Sequence, residues 1–78
     1  MYKKNNPDQN NGFKEILRDF LMENKLTQLA FADKVGVKQS QVSEWLNGKA
    51  KPGYDTLRLM AKAFDLSADY LLGLTPKK

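Results

Sequence analysis

Residues 27–48, TQLAFADKVGVKQSQVSEWLNG, decide the fold of this 78-residue chain. They read as two short helices joined by a turn at Gly36. Thr27 carries a hydroxyl suited to capping a helix start. Gly36, just past Val35, suits the left-handed conformation that ends a helix. Phe31, Ala32, Val35, Val37, Val42 and either Trp45 or Leu46 are the apolar contacts that lock the pair. Ala32 is small, and a small residue at a crossing lets two helix backbones approach closely. The second helix, residues 38–46, then turns outward a polar, short-armed surface of Gln39, Ser40, Ser43 and Glu44. Such a surface is better suited to hydrogen bonding with base edges than to core packing.

On the N-terminal side, residues 13–24 are helical by period. Phe13, Leu17, Phe20 and Leu21 share one stripe, widened by Ile16, with Lys14, Arg18, Asp19 and Glu23 opposite. Asn24 and Lys25 break the pattern, and Leu26 plugs the core before Thr27 restarts it. Residues 1–12 (MYKKNNPDQNNG) have little to bury and are expected to form a disordered arm, with Asn10 or Asn11 capping the first helix. Lys3 and Lys4 have two readings, a basic arm that reaches a nucleic acid or a solvated tail.

On the C-terminal side, KAKPG is a loop. Pro52 fits the start of a helix, and Gly53 serves as a weaker N-cap than serine. The spacing of Leu57, Met60, Ala61 and Phe64 predicts a helix over 54–64. Ser67 caps a last short helix over 68–72 that Gly73 ends, and 74–78 is a flexible tail. The expectation is an all-α chain, five short helices around one core, in a single domain over 13–73.

Composition narrows the function. There is no cysteine and no histidine, which removes disulfides, the usual zinc sites and every His- or Cys-based nucleophile. Nine carboxylates are spread along the chain with no pair at a catalytic spacing, and no phosphate-cradling glycine loop is present. No catalytic residue, metal site, cofactor or small-molecule ligand is therefore expected, and the chain reads as a non-enzyme. No apolar run approaches the ~20 residues of a membrane span, so a cytoplasmic location is expected. The formal charge is +4, with a pI near 9.4. Lys34, Lys38, Lys49 and Lys51 face Glu44 alone within 34–51. A phosphate-facing surface needs positive charge focused in this way, and a solvated lysine face would look the same.

The chain resembles the phage Cro/repressor, or XRE-like, helix-turn-helix proteins over roughly residues 13–72. The residues that carry the likeness are Leu26-Thr27-Gln28, Phe31-Ala32, Lys34-Val35-Gly36-Val37, Val42-Ser43, Trp45, Asn47-Gly48-Lys49, Pro52, Thr56-Leu57, Ala61-Lys62-Ala63 and Ser67-Ala68-Asp69-Tyr70-Leu71-Leu72. The resemblance implies a compact five-helix bundle whose helices 2 and 3 form the helix-turn-helix. It also implies a homodimer, at least on DNA, bound to a two-fold operator, with residues 38–46 in the major groove. Carried over by position, Lys38, Gln39, Ser40 and Glu44 read bases, with Gln41 as a secondary candidate. Thr27, Gln28, Ser43, Asn47, Lys49 and Lys51 hold phosphates. A Gln can bind adenine at two points and a Glu can accept from cytosine N4, while Glu44 could instead act by rejecting wrong sequences. Trp45 is read as core rather than as a stacking platform.

Two departures stand out. Lys38 occupies a position where a capping Ser or Thr is common, so the recognition helix is expected to start less firmly. Many members pair an Arg on the first helix with a Glu before the Asn-Gly of the loop. Both positions are leucine in this chain, Leu21 and Leu46, so an apolar contact is expected to replace an ion pair. Leu59, Ala63, Tyr70, Leu72 and Leu74 fall off the core stripes and are candidates for a dimer contact, or are scattered exposed residues of the ordinary kind. The function implied is a DNA-binding transcriptional regulator, a repressor on an inverted repeat. The alternative is an antitoxin or adaptor that uses the same fold for protein contact.

Overall fold

In the computed structural model, which describes residues 12–75, five helices follow one another: α1 Phe13–Glu23, α2 Gln28–Val35, α3 Gln39–Leu46, α4 Tyr54–Phe64 and α5 Ala68–Leu71. Two start on the side chains read from the sequence. Thr27 Oγ1 accepts from the Ala30 amide and Ser67 Oγ from the Tyr70 amide, each at 3.0 Å. Each bond satisfies a first-turn donor that has no partner within its helix. Gly53 takes the N-cap of α4 as expected, without a side-chain bond. The N-cap of α1 falls on Gly12 rather than on an asparagine. Asn10 and Asn11 lie outside the described residues, as do Lys3, Lys4 and residues 76–78.

The five helices of the described residues all close by the same backbone device. The amides of Leu26, Val37, Lys49, Leu66 and Leu74 reach back to the carbonyls of Leu21, Ala32, Glu44, Ala61 and Asp69, at 2.8–3.0 Å. The residue before each of these is left-handed: Lys25, Gly36, Gly48, Asp65 and Gly73. This is the Schellman closure, which satisfies carbonyls left over at the helix end. Gly36 and Gly73 were legible because glycine is free to adopt positive φ. Lys25 (φ 54°) and Asp65 (φ 57°) carry a β-carbon there, a conformation that costs roughly 1–2 kcal/mol. At Lys25 and Asp65 the packing of the next residue holds the turn, since Leu26 and Leu66 both sit against the core. Leu74, read as the start of a tail, is tied by its amide to Asp69.

The core gathers Leu17, Phe20 and Leu21 from α1, Phe31, Ala32 and Val35 from α2, and Val42 and Trp45 from α3. Met60 of α4 and Tyr70 and Leu71 of α5 complete it. At its centre Phe31 stacks on Phe64, with ring centres 5.3 Å apart, and Phe20 meets both rings edge-on at 6.2 and 5.1 Å. Phe13 stands edge-on to Trp45 at 6.1 Å and fastens the start of α1 to the end of α3. Trp45, not Leu46, is the buried member of that pair. Among the described residues no charged side chain is buried, so no buried ion pair holds this interior.

Two dimer candidates are corrected by the packing. Tyr70 is buried in the core, and Ala63 is half-buried and packed against it. A four-residue helix is too short for period to tell its faces apart, and the inward stripe of α4 is wide enough to take in Ala63. Leu59, Leu72 and Leu74 are exposed as expected. Leu21 is buried and Leu46 packs half-buried against the same core, so the two leucines share an interior rather than unrelated faces.

Candidate nucleic-acid interface

The pairing of α2 with α3 sets the geometry of the site. Ala32 at the crossing is only 1 % exposed, so α3 is seated close against α2. The turn between them is closed by Gly36 at φ 93°, with the Gly36 and Val37 amides both bonded to the Ala32 carbonyl at 2.8 and 3.0 Å. Val42 and Trp45, three residues apart, point α3 inward. With about 100° per residue, that orientation puts Ser40 and Glu44 on the opposite side, one turn apart, with Gln39 and Ser43 flanking them. Lys38, Gln39, Ser40 and Glu44 are exposed, and Ser43 is half-buried.

Lys38 is the N-cap of α3, and its ammonium has no lone pair to offer an amide. Gln41 supplies half of a capping box instead: its Oε1 accepts from the Lys38 amide at 3.1 Å. The weak start expected from Lys38 is thus compensated three residues later. The same bond engages the carbonyl oxygen of Gln41 in holding the helix.

The residues read as phosphate holders surround this helix. Thr27 and Gln28 stand at the start of α2, where the Thr27 oxygen caps the helix while its hydroxyl proton stays available for donation. Asn47, Gly48 and Lys49 form the exposed turn after α3, and Lys51 is exposed just beyond it. In that turn Lys49 takes the position that Leu26, Val37, Leu66 and Leu74 hold at the other helix ends. Lys49 is the one charged residue among the five at that position, and it lies beside the candidate interface. Lys34 does not join this group: its ammonium lies 5.8 Å from the centre of the Phe64 ring, between α2 and α4.

One neighbouring cation was not read from the sequence. Lys14 of α1 crosses to the turn after α3, with its Cδ 3.5 Å from where a β-carbon on Gly48 would stand. The two residues are far apart in the chain, and no local pattern announces the contact.

A buried-faced helix seated by a glycine turn on its predecessor, with a polar outer face and cations at its end, defines a helix-turn-helix unit. The helix-turn-helix family profile matches residues 17–71, and the chain belongs to that family of transcriptional regulators, in its Cro/repressor-like (XRE) branch. It is 37 % identical over 59 residues to the uncharacterized HTH-type transcriptional regulator YobD of Bacillus subtilis (strain 168), a match covering 76 % of this chain and 53 % of that protein. It is 37 % identical over 60 residues to YqaE, an uncharacterized regulator of the same type and organism, covering 77 % and 52 %. The HTH-type transcriptional activator BcrR of Enterococcus faecalis is 32 % identical over 60 residues, covering 77 % of this chain and 29 % of the relative. The chain thus spans about half the length of the first two and less of the third. No solved structure matches it. Among the described residues no helix is long and apolar enough to cross a membrane.

Proposed function

We propose that this chain is a sequence-specific double-stranded DNA-binding module that lays α3 in the major groove and represses transcription from the site it occupies. The observation that carries the reading is the two-faced character of α3. Val42 and Trp45 are buried at 0 and 4 % exposure, while the opposite side offers Gln39, Ser40 and Glu44 to a partner. Lys38 reaches a base or a phosphate from the helix start, and Gln41 reads bases only with the amide end not engaged by its cap. Thr27, Gln28, Ser43, Asn47, Lys49 and Lys51 hold the backbone. Repression by occlusion needs only occupancy, which this module supplies by itself. Activation, the role in the name of BcrR, needs a further contact with the transcription machinery.

Gln39→Ala should lose discrimination at one or two base positions, worth about 1–3 kcal/mol. Lys49→Ala should weaken all sequences alike. Binding to a panel of duplexes, each changed at one position, checks both. If the two variants lower every affinity by the same factor, the division of labour is wrong.

The module acts as a homodimer on an inverted repeat. Leu59, Leu72 and Leu74 support this, together with an apolar groove between α4 and α5 lined by Tyr54, Leu57, Ala61 and Leu72. Two recognition helices should then lie about 34 Å apart, one turn of DNA. Sedimentation at micromolar concentration should show a dimer on a two-fold duplex. Monomer alone, with and without DNA, would remove the dimer and leave the groove to a different protein partner, as the adaptor reading has it.

A further inference from the structure

Lys14 belongs to α1, outside the helix-turn-helix, yet its side chain ends at the turn that follows α3. Its Cδ and Nζ lie 3.5 and 4.0 Å from the position a Gly48 β-carbon would take. Gly48 is at φ 76°, so the glycine serves both the left-handed closure and the passage of the lysine stem across its bare α-carbon. The approach is held from the preceding residue, because Phe13 is edge-on to Trp45 at 6.1 Å. Lys14, Glu15, Gly48 and Lys51 line one shallow depression. A half-buried stem that carries an ammonium to a turn already flanked by Lys49 and Lys51 has the chemistry of an anion contact.

We propose that Lys14 is a DNA-backbone contact, a cation from α1 that joins Lys49 and Lys51 on the phosphates beside α3. The proposal rests on the DNA-binding reading above and adds to it a residue of another helix. It gives the start of α1 a share in positioning the recognition helix on the duplex, through charge rather than base reading.

The test measures affinity for a mixed-sequence duplex across a salt series. The proteins are wild type, Lys14→Met, Lys14→Arg and Lys49→Gln. Methionine keeps the apolar stem over Gly48 and removes only the charge. Each phosphate contact contributes about 0.9 to the slope of log K against log salt, so Lys14→Met should flatten the slope by about 0.9 and bind roughly eightfold more weakly at ~0.1 M salt. Its melting temperature should match wild type, and Lys14→Arg should keep the wild-type slope. If Lys49→Gln flattens the slope and Lys14→Met does not, Lys14 is a packing residue and the proposal fails while DNA binding stands. A slope loss accompanied by a lowered melting temperature in Lys14→Met, with Lys14→Arg equally impaired, also overturns it. If wild type itself shows no salt-dependent binding, the DNA-binding reading fails first.

Discussion

Leu21→Arg is expected to cost about 3–5 kcal/mol, as an unpaired charge forced into an apolar interior does. The stability of a small domain is itself only about 5 kcal/mol or a little more, so this single substitution should leave the chain largely unfolded at 25 °C. Leu46→Glu alone should cost less, because Leu46 is half-exposed and its carboxylate can stay hydrated. The informative protein is the double variant, which restores the charge pair that the resemblance associates with these two positions. Leu21 and Leu46 enter the same core from α1 and α3. The double variant should therefore be more stable than the sum of the single effects requires, with a coupling of at least ~1 kcal/mol in a urea-denaturation cycle. Additive effects would mean that the leucines are not partners. An apolar pair of this kind suits a core with no buried charged side chain among the described residues, since each charge withdrawn from water must regain its hydration energy from one partner.

Phe31→Ala should be comparably severe, at about 3–5 kcal/mol. Phe31 is 1 % exposed, stacks on Phe64 and meets Phe20 edge-on. Its loss opens a cavity where α1, α2 and α4 meet and removes two aromatic pairs, each worth about 0.5–1.5 kcal/mol. Phe31 sits in the helix that seats α3, so affinity for every duplex should fall in proportion to the folded fraction. Cooling or a stabilising osmolyte should restore binding without altering base preference. That pattern separates it from Gln39→Ala, which should change preference while the protein remains folded. A loss below about 1.5 kcal/mol in denaturant unfolding would show that the ring stack is not the centre of the core.

Local chemistry made much of this fold legible. Thr27, Ser67 and Gly53 start their helices where their residue types indicate, and Gly36 and Gly73 close theirs by positive φ. These features act within four or five residues, which is the range over which a sequence can be read directly. The stripe of α1 is legible for the same reason, since Leu17, Phe20 and Leu21 are its buried members. The outward face of α3 follows from the inward position of Val42.

By itself, then, the sequence determined five helices, their ends to within a residue or so, and the polar side that α3 presents. Tertiary structure alone decided that Leu46 is only half-buried beside Trp45, that Tyr70 belongs to the core, and that Lys34 rests on Phe64. It also decided that Lys25 and Asp65 adopt the left-handed turn without glycine and that Lys14 reaches Gly48. Each of these depends on how helices distant in the chain are set against one another. Periodicity fixes a direction around one helix axis, but the neighbour met in that direction is chosen by packing the whole apolar interior at once.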